Sequence, residues 1–456
     1  MSEPIAAIAT GQNRCAIGIL RLSGDGCFTV CDQVFRADSG KTFAELPPRA
    51  LSLGSLFDTT GAVIDHVLAV RFPAPHSYTG EDCAEFHCHG SPVVLREALR
   101  ALFRAGARQA AAGEFTKRAF LNGRLDLTEA EAVIDLIDAE TAAAARNAAA
   151  QLDGALRRVL EPLQDALLDV AARFYAVVDY PDEDIEDVRP EEIAAALSNG
   201  TERLDRLLNA CKRGQVLKSG VRTVIIGRPN AGKSSLFNAL AGFERVIVTD
   251  IPGTTRDTVE ESIVCGGTLL RLTDTAGLRD ARDAVESLGV ERSRKAVQAA
   301  DLILVVTDGS AAPNEEDAEA VRLARDSGKP WVFVRNKRDL PQDASRTGDP
   351  VPAVPCVRVS AKTGAGLSEL EAAVAALFPN GDSAPGTLLT DQRQEEAARR
   401  ARDALCRAET ALQSGFTPDA VLTDVEEALE AIGELTGRAA KEELVSRIFS
   451  RFCVGK

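Results

Sequence analysis

The sequence predicts a multidomain α/β protein: an N-terminal α+β domain, an all-α helical domain, and a phosphate-loop α/β domain inserted into the helical one. Three observations carry that reading. Val221, Val224, Ile225 and Ile226 form a β-branched strand that runs into G-x-x-x-x-G-K-S at residues 227–234, and then into a helix at 235–240 with Gly242 placed to end it. Residues 1 to about 120 read as short strands separated by Gly, Pro and Asp turns. From Leu121 onward, and again after Phe378, the pattern turns helical.

In chain order, strands are expected at 5–9, 16–22, 50–57, 63–72 and 83–88, and a helix at 92–103 with Pro92 early and Gly106 beyond its end. Tyr78, Thr79, Gly80, Glu81 and Asp82 read as a polar surface loop, and Gly113, Glu114, Phe115, Thr116, Lys117 and Arg118 as a mixed-charge surface turn. Residues 127–150 are alanine-rich and periodic, 154–180 continue the pattern, and 191–212 make a further helix. The acidic run at 182–187 reads as a solvated helix start rather than a metal site, since Pro181 and Pro190 flank it. Further strands are expected at 269–272, 331–334 and 356–359, a linker at 379–386, and helices at 390–412, 418–432 and 439–452. Small helical units are marginal alone, so the last three helices are expected to pack on 121–215. The domains are then 1–120, 121–215, 216–378 and 379–456, with the third inserted between the two helical parts and its ends close together.

Composition excludes several classes. Of 456 residues, 45% are hydrophobic and 27% charged, the balance of an ordinary soluble globular chain. No run reaches the roughly twenty apolar residues of a membrane span, and Met1, Ser2, Glu3 and Pro4 lack the basic start of a secretory signal. The ten cysteines are scattered without a C-x-x-C pair, which fits free thiols in a reducing cytoplasm. Cys83, His87, Cys88 and His89 form the one cluster with metal-ligand chemistry, but alternation along a strand sends neighbours to opposite faces, so no metal is expected there. A formal charge of −15 argues against a general nucleic-acid binder, although an RNA partner remains open through local patches of Arg and Lys.

The chemistry concentrates after residue 220. The glycines of the phosphate loop let backbone N–H groups close around phosphate oxygens at a helix N-terminus that already favours negative charge. Lys233 would reach the β- and γ-phosphates and Ser234 would offer its hydroxyl to Mg²⁺. The strand at 331–334 runs into Asn336, Lys337, Arg338 and Asp339. A carboxylate at Asp339 accepts from both the ring N–H and the exocyclic amine of guanine, a donor pair that adenine lacks, and a buried polar recognition group discriminates strongly. Ser360, Ala361 and Lys362 would close over the base. Thr254, Thr255, Arg256 and Asp257 form a candidate switch, with Thr255 completing the magnesium shell, and Asp274, Thr275, Ala276 and Gly277 follow a strand. Five elements in this order resemble a GTPase fold. Leu278 stands where many small GTPases carry a water-orienting glutamine. Glu286 is the candidate replacement, although spacing alone favours a solvated helix charge.

The chain ends Arg451, Phe452, Cys453, Val454, Gly455, Lys456. Cys453 is fourth from the end, but a terminal lysine and the lack of a polybasic stretch argue against prenylation. Two readings of Cys453 stand: a reactive thiol activated by the nearby Arg451 and Lys456, or a plain tail cysteine.

Gly-Arg-Pro-Asn-Ala-Gly-Lys-Ser at 227–234, Thr-Asp-Ile-Pro-Gly-Thr-Thr-Arg-Asp at 249–257, Asp-Thr-Ala-Gly-Leu-Arg at 274–279 and Phe-Cys-Val-Gly-Lys at 452–456 together resemble the TrmE or MnmE family of tRNA-modification GTPases. Ala-Ile-Gly-Ile-Leu-Arg-Leu-Ser-Gly at 16–24, Tyr-Thr-Gly-Glu-Asp at 78–82 and Gly-Glu-Phe-Thr-Lys-Arg-Ala-Phe-Leu-Asn at 113–122 are similar to it as well, so the likeness runs from end to end. The resemblance implies a folate-binding, dimerising N-terminal domain and a cytoplasmic homodimer. It also implies a heterotetramer with a flavin-dependent partner of the MnmG or GidA type, which carries the FAD. The implied work is addition of an aminomethyl-type group to C5 of the wobble uridine in certain tRNAs, from a tetrahydrofolate one-carbon donor.

Family roles carry over residue by residue. Asn230, with the backbone of Thr249, Ile251 and Thr254, would hold K⁺ in place of an arginine finger; Ser234 and Thr255 would hold Mg²⁺; Glu286 would position the attacking water. The GTP pocket implied is Asn230, Ala231, Gly232, Lys233, Ser234 and Ser235; Thr249, Asp250, Ile251, Pro252, Gly253, Thr254 and Thr255; Asp274, Thr275, Ala276 and Gly277; Asn336, Lys337 and Asp339; and Ser360, Ala361 and Lys362. Lys233, Glu286 and Cys453 are the implied catalytic groups, and Arg21, Glu81, Arg124 and Lys456 the implied folate ligands. The sequence departs from the family at Gly11, Gln12, Asn13, Arg14 and Cys15, where relatives have a Pro-Pro-Gly start. The competing class is a ribosome-assembly GTPase switch without RNA-modifying chemistry. Such proteins carry a basic RNA-binding module, often with a G-x-x-G loop, and neither that module nor a basic charge balance is found here.

Overall fold

Strand alternation at the N-terminus builds a sheet with one face committed to a core. The structure, a computed structural model, describes residues 2–11, 13–179, 190–243, 260–273, 294–343, 354–379, 384–438, 442–450 and 452–455. They fall into two units: Met1–Ile134, Gln151–Thr201 and Arg400–Lys456 in the first, Asp135–Ala150 and Glu202–Arg399 in the second.

The first unit opens with β1 (Ile5–Ile8), β2 (Ile17–Ser23), α1 (Cys27–Val34), β3 (Phe35–Ala37), β4 (Ser52–Phe57), β5 (Val63–Phe72), β6 (Cys83–His89), α2 (Pro92–Arg104), β7 (Arg108–Gln109) and α3 (Glu114–Leu121). The seven strands lie in the order β3-β4-β5-β6-β2-β1-β7, antiparallel except for the parallel pair β1 and β7. Leu20 and Leu22 of β2 and Ala84, Phe86 and Cys88 of β6 point to the same face, where α1 and α2 cover them with Val30, Cys31, Leu95, Ala98 and Leu102. His87 and His89 stand on the opposite face, as the alternation requires.

Two surface readings are corrected here. The stretch at 113–118 is not a surface turn but the start of α3, which buries Phe115, Thr116 and Arg118. The loop at 78–82 is polar but not a surface loop throughout, since Thr79 is buried within it.

The periodic stretch at 127–150 forms two helices: α4 (Leu127–Ile137) and α5 (Ala142–Leu152). The break falls before Thr141, whose Oγ1 accepts from Ala144 N at 3.1 Å and so caps α5. Then come α6 (Ala155–Asp179) and α7 (Pro190–Ser219); the acidic run at 182–187 lies outside the described residues.

The second unit contains β8 (Val221–Ile226), α8 (Lys233–Phe243), β9 (Glu260–Cys265), β10 (Thr268–Thr273), β11 (Leu302–Asp308), α9 (Glu315–Asp326), β12 (Trp331–Asn336), β13 (Cys356–Arg358) and α10 (Leu367–Leu377). The sheet order is β13-β12-β11-β8-β10-β9, all parallel except the β9–β10 hairpin. Strands β11 and β12 are buried along their whole length, which explains their near-continuous apolar sequence: a parallel sheet is covered on both faces. Gly242 lies inside α8 and does not end it. Within this unit Lys218 Nζ meets Asp135 Oδ1 at 2.8 Å, Thr390 Oγ1 donates to Asp135 Oδ2 at 2.8 Å, and Gly386 N donates to Asn147 Oδ1 at 2.8 Å. The segments entering and leaving the α/β part therefore lie together.

The chain closes with α11 (Gln392–Gln413), α12 (Pro418–Thr436) and α13 (Glu442–Phe449). In the first unit α12 packs along α6, and α13 packs on α3. Phe449 sits 6.3 Å from Phe120 and 5.2 Å from Phe452, ring centre to ring centre, over a small core with Ala130 and Val445. Beyond it Val454 bridges to Ala112, and Gly113 N donates to Cys453 O at 3.3 Å. The C-terminal tail thus returns to the N-terminal residues. No helix among the described residues is long and apolar enough to cross a membrane.

Candidate functional site

The parallel strands of the second unit deliver their carboxyl ends to one edge, the place where open α/β sheets bind ligands. From β8 the chain turns through Gly227 at φ 147°, Asn230 at φ 61° and Gly232 at φ 95° before α8 begins at Lys233. A Cβ at Gly232 would lie 2.1 Å from Asn336 Nδ2, and one at Gly227 would lie 2.1 Å from Val306 O, so both positions require glycine on space as well as conformation. Lys233 Nζ donates to Gly227 O at 2.7 Å and Arg228 O at 2.8 Å, which folds the ammonium over the loop. Burial pulls its pKa below the usual lysine value, with the Glu316 charge working the other way. Ala231 is buried, while Asn230, Ser234 and Ser235 are exposed to whatever the loop holds. The loop fits a phosphate cradle: two positions that only glycine fits, a lysine above it, and two exposed hydroxyl residues at a helix N-terminus.

Asn336 joins this loop to the loops that follow β12 and β13. Its Nδ2 donates to Ala231 O at 3.1 Å, and its Oδ1 accepts from Ala361 N at 3.0 Å. Ser360 Oγ donates to Asp339 Oδ1 at 2.6 Å. That bond, with the Lys362 and Lys337 charges adding to it, holds the Asp339 carboxyl below its usual range, so it stands ionised as an acceptor. Lys337, at φ 64°, reaches back to Asp308 Oδ2 at 2.6 Å. Burial alone would raise Asp308, but bonds from Lys337 and Ser310 outweigh it and hold that carboxyl low. Lys362 lies exposed beside these groups. The structure thus brings together Asn230, Ala231, Gly232, Lys233, Ser234, Ser235, Asn336, Lys337, Asp339, Ser360, Ala361 and Lys362 from three strand ends. Thr249, Asp250, Ile251, Pro252, Gly253, Thr254, Thr255, Asp274, Thr275, Ala276, Gly277 and Glu286 lie outside the described residues. Sequence reasoning missed Asp308, whose only signal is its place at the end of β11.

A second constellation gathers in the first unit around the 78–82 loop. Arg21 Nε donates to Glu85 Oε1 at 2.9 Å, and its guanidinium lies 5.4 Å from the Tyr78 ring centre. Tyr78 Oη and Thr116 Oγ1 share a 2.9 Å hydrogen bond, and Asn122 Nδ2 donates to Thr79 O at 2.8 Å. Glu81 Oε2 accepts from Ser23 Oγ at 2.7 Å and from Arg118 Nη1 at 2.9 Å. Burial opposes the charge on Glu81, yet Arg118, Ser23 and Ser2 hold its pKa below the ordinary value. Arg124 packs its stem against Gly80, where a Cβ would be 3.3 Å from Arg124 Cγ. Two cations, Arg21 of β2 and Arg124 beyond α3, gathered around a loop that carries an anion and an aromatic ring suit a ligand with an anionic end and a planar hydrogen-bonding end. Arg21, Glu81 and Arg124 are thus neighbours; Lys456 lies outside the described residues, and Cys453 is exposed on the returning tail. Arg118, Ser23 and Tyr78 were not singled out, although Glu114 and Arg118 at i, i+4 were a legible pair.

The comparisons with known proteins agree across the whole length. A family model described as the MnmE helical domain matches residues 127–453, and one described as GTP-binding protein TrmE N-terminus matches residues 4–124. A tRNA modification GTPase MnmE of Heliobacterium modesticaldum is 43% identical over 467 residues, covering 100% of each chain. The protein of that name from Symbiobacterium thermophilum is 43% identical over 456 residues, covering 100% of this chain and 99% of its own. That from Aquifex aeolicus is 41% identical over 457 residues, covering 100% of both. Among solved structures, the G domain of the T. maritima FeoB iron transporter aligns with 34% of this chain and 97% of its own, at 25% identity and a TM-score of 0.25.

Proposed function

The chain belongs to the MnmE family of tRNA modification GTPases, and from that premise we propose that it hydrolyses GTP in a potassium-dependent cycle that serves modification of the wobble uridine of certain tRNAs. The observation that carries the nucleotide half is the Asn336 clamp, which ties the phosphate loop to the Asp339 and Ser360 pair. Phosphate cradle and guanine acceptor are thereby one rigid unit. Lys233 would bind the β- and γ-phosphates, and Ser234 with Thr255 would hold Mg²⁺. Asn230 and the backbone of Thr249, Ile251 and Thr254 would hold K⁺, which supplies positive charge where the transition state builds negative charge. Glu286 would orient the water.

The modification half rests on the family resemblance and on the 78–82 loop. Arg21, Glu81 and Arg124, with Lys456 from the tail, would bind a reduced folate as the one-carbon donor. A flavin-dependent partner would join two copies of this chain in a heterotetramer. Wobble nucleosides from cells lacking this gene, analysed by mass spectrometry, are expected to lose the aminomethyl-type group at C5. Purified protein is expected to turn GTP over many times faster in potassium than in sodium. Unchanged nucleosides would favour a ribosome-assembly switch, and equal rates in the two salts would remove the potassium mechanism.

A further inference from the structure

We propose that Arg118 is a positioning residue for the one-carbon-donor site, holding the Glu81 carboxylate as the fixed anion that receives the donor edge of the folate ring. This rests on the folate reading above and goes beyond it, because Arg118 itself is given no contact with the ligand.

Arg118 and Glu81 are 10% and 13% exposed, and their atoms meet at 2.9 Å. Taking two charges out of water is costly, and a buried pair of this kind is weak evidence of stabilisation. The geometry instead serves orientation. Ser23 Oγ and Arg118 Nη1 converge on one oxygen, Oε2, and the Ser2 hydroxyl is a further partner of the carboxylate. Arg118 Nη2 meanwhile donates to Glu114 Oε1 at 2.9 Å and to Glu3 O at 2.9 Å. Glu114 is fixed in turn by two bonds from Arg108, at 2.8 and 2.6 Å, and by Ala111 N at 2.8 Å. One planar fork therefore serves three acceptors from three parts of the chain, which an ammonium does not reproduce.

The same helix holds the loop a second time, through Thr116 and Tyr78, and Arg21 stacks on that ring. Helix α3 thus carries both ends of the candidate ligand cradle. The titratable and charged groups around Glu81 are Arg118 and Glu114 from α3, Cys27 from α1, Asp82 in its own loop, Arg21 of β2 over the Tyr78 ring, and Arg124 against Gly80. Burial and neighbouring charge push the Cys27 thiol far up, so it stays neutral. Ser2 and Ser23 contribute hydroxyls. Arg118 is the one cation among the described residues with an ion pair to Glu81; without it Glu114 keeps Arg108, and Glu81 keeps the Ser23 and Ser2 hydroxyls.

The sign follows. With Arg118 present, Glu81 stays ionised below the ordinary carboxylate range, so folate affinity survives mild acid. In Arg118→Gln, Glu81 loses its cation and takes up a proton as pH falls, and the acceptor becomes a donor. Calorimetry with 5-formyltetrahydrofolate, each variant referred to wild type at the same pH, should show Arg118→Gln weakened about tenfold more at about pH 5 than at about pH 8. Arg118→Lys, which keeps the charge, should recover the wild-type profile while binding more weakly throughout. The ¹³C titration of the Glu81 carboxyl, read without folate, should move up in Gln and stay low in Lys. Equal weakening at every pH, with Glu81 titrating as in wild type, would leave Arg118 a structural role and overturn the proposal. So would an unchanged affinity in a folded Gln variant. If wild type binds no folate, the folate reading fails, and the Glu81 titration still decides whether Arg118 holds that carboxylate.

Discussion

At the residue scale, the proposed selectivity for the base rests on one exposed carboxylate, Asp339, and the hydroxyl that aims it. Ser360 is buried and has its amide tied to Ala365 O at 2.7 Å, so its hydroxyl is directed at Asp339 by the loop itself. An ionised Asp339 presents acceptors only, and guanine presents the matching donors. Asp339→Asn turns one acceptor into a donor and should move preference toward xanthosine triphosphate, by about a hundredfold or more in relative kcat/KM. A competition assay in which the variant keeps the wild-type preference for GTP would rule out this assignment. Ser360→Ala should weaken GTP without changing which base is preferred, because it removes the aim and leaves the acceptor.

At the scale of elements, what decides function is which loop is pinned to which. Asn336 is 2% exposed and bonds two backbone groups of different loops, Ala231 and Ala361. In Asn336→Ala both lose a buried partner, each at about 1–3 kcal/mol. The variant should lower the unfolding free energy of this part of the chain and raise the Kd for GTP at least about tenfold, seen by fluorescent-nucleotide titration. Wild-type affinity in a destabilised variant would reduce Asn336 to a fold residue. Much of this element was legible, because a β-branched run, a glycine loop and a helix each announce themselves locally. The N-terminal cradle was less so. Helix α3 is eight residues long and begins after a left-handed Gly113 without a side-chain cap, so no start signal marks it. Its apolar face is completed by Phe449 and Phe452, more than three hundred residues away in sequence. Helix α1 was hidden for a related reason: its Cys, Phe, Thr and Val residues are poor helix formers, and packing on the sheet overrides propensity. The helical reading of 127–150 holds, but the break between its two helices was not legible, because alanine periodicity does not register a polar cap such as Thr141.

At the scale of the whole molecule, the two ends of the chain are parts of one construction. The tail pairs Val454 with Ala112, and Cys453 O receives the Gly113 amide just before α3 begins. The tail therefore lies beside residues 112–113, which lead directly into the helix that carries Arg118. The described residues of the proposed nucleotide site, by contrast, all belong to the second unit. Deleting residues 453–456 leaves Phe449 and Phe452 in their core, at 1% and 6% exposure, and among the described residues removes a short backbone bridge and the packing of Gly455 against Ile8. That loss should cost about 1–2 kcal/mol, too little to unfold the unit. The truncated protein should therefore keep GTP turnover within about twofold of wild type, while folate binding and wobble modification disappear with Lys456 and Cys453. Cys453→Ser in the full chain separates the two: folate binding kept but modification lost assigns the thiol to chemistry, whereas modification kept makes it a plain tail cysteine. Undiminished folate binding by both the truncation and Arg21→Ala would mean that the donor sits elsewhere, and the ligand roles given to Arg21, Glu81, Arg124 and Lys456 would fall together.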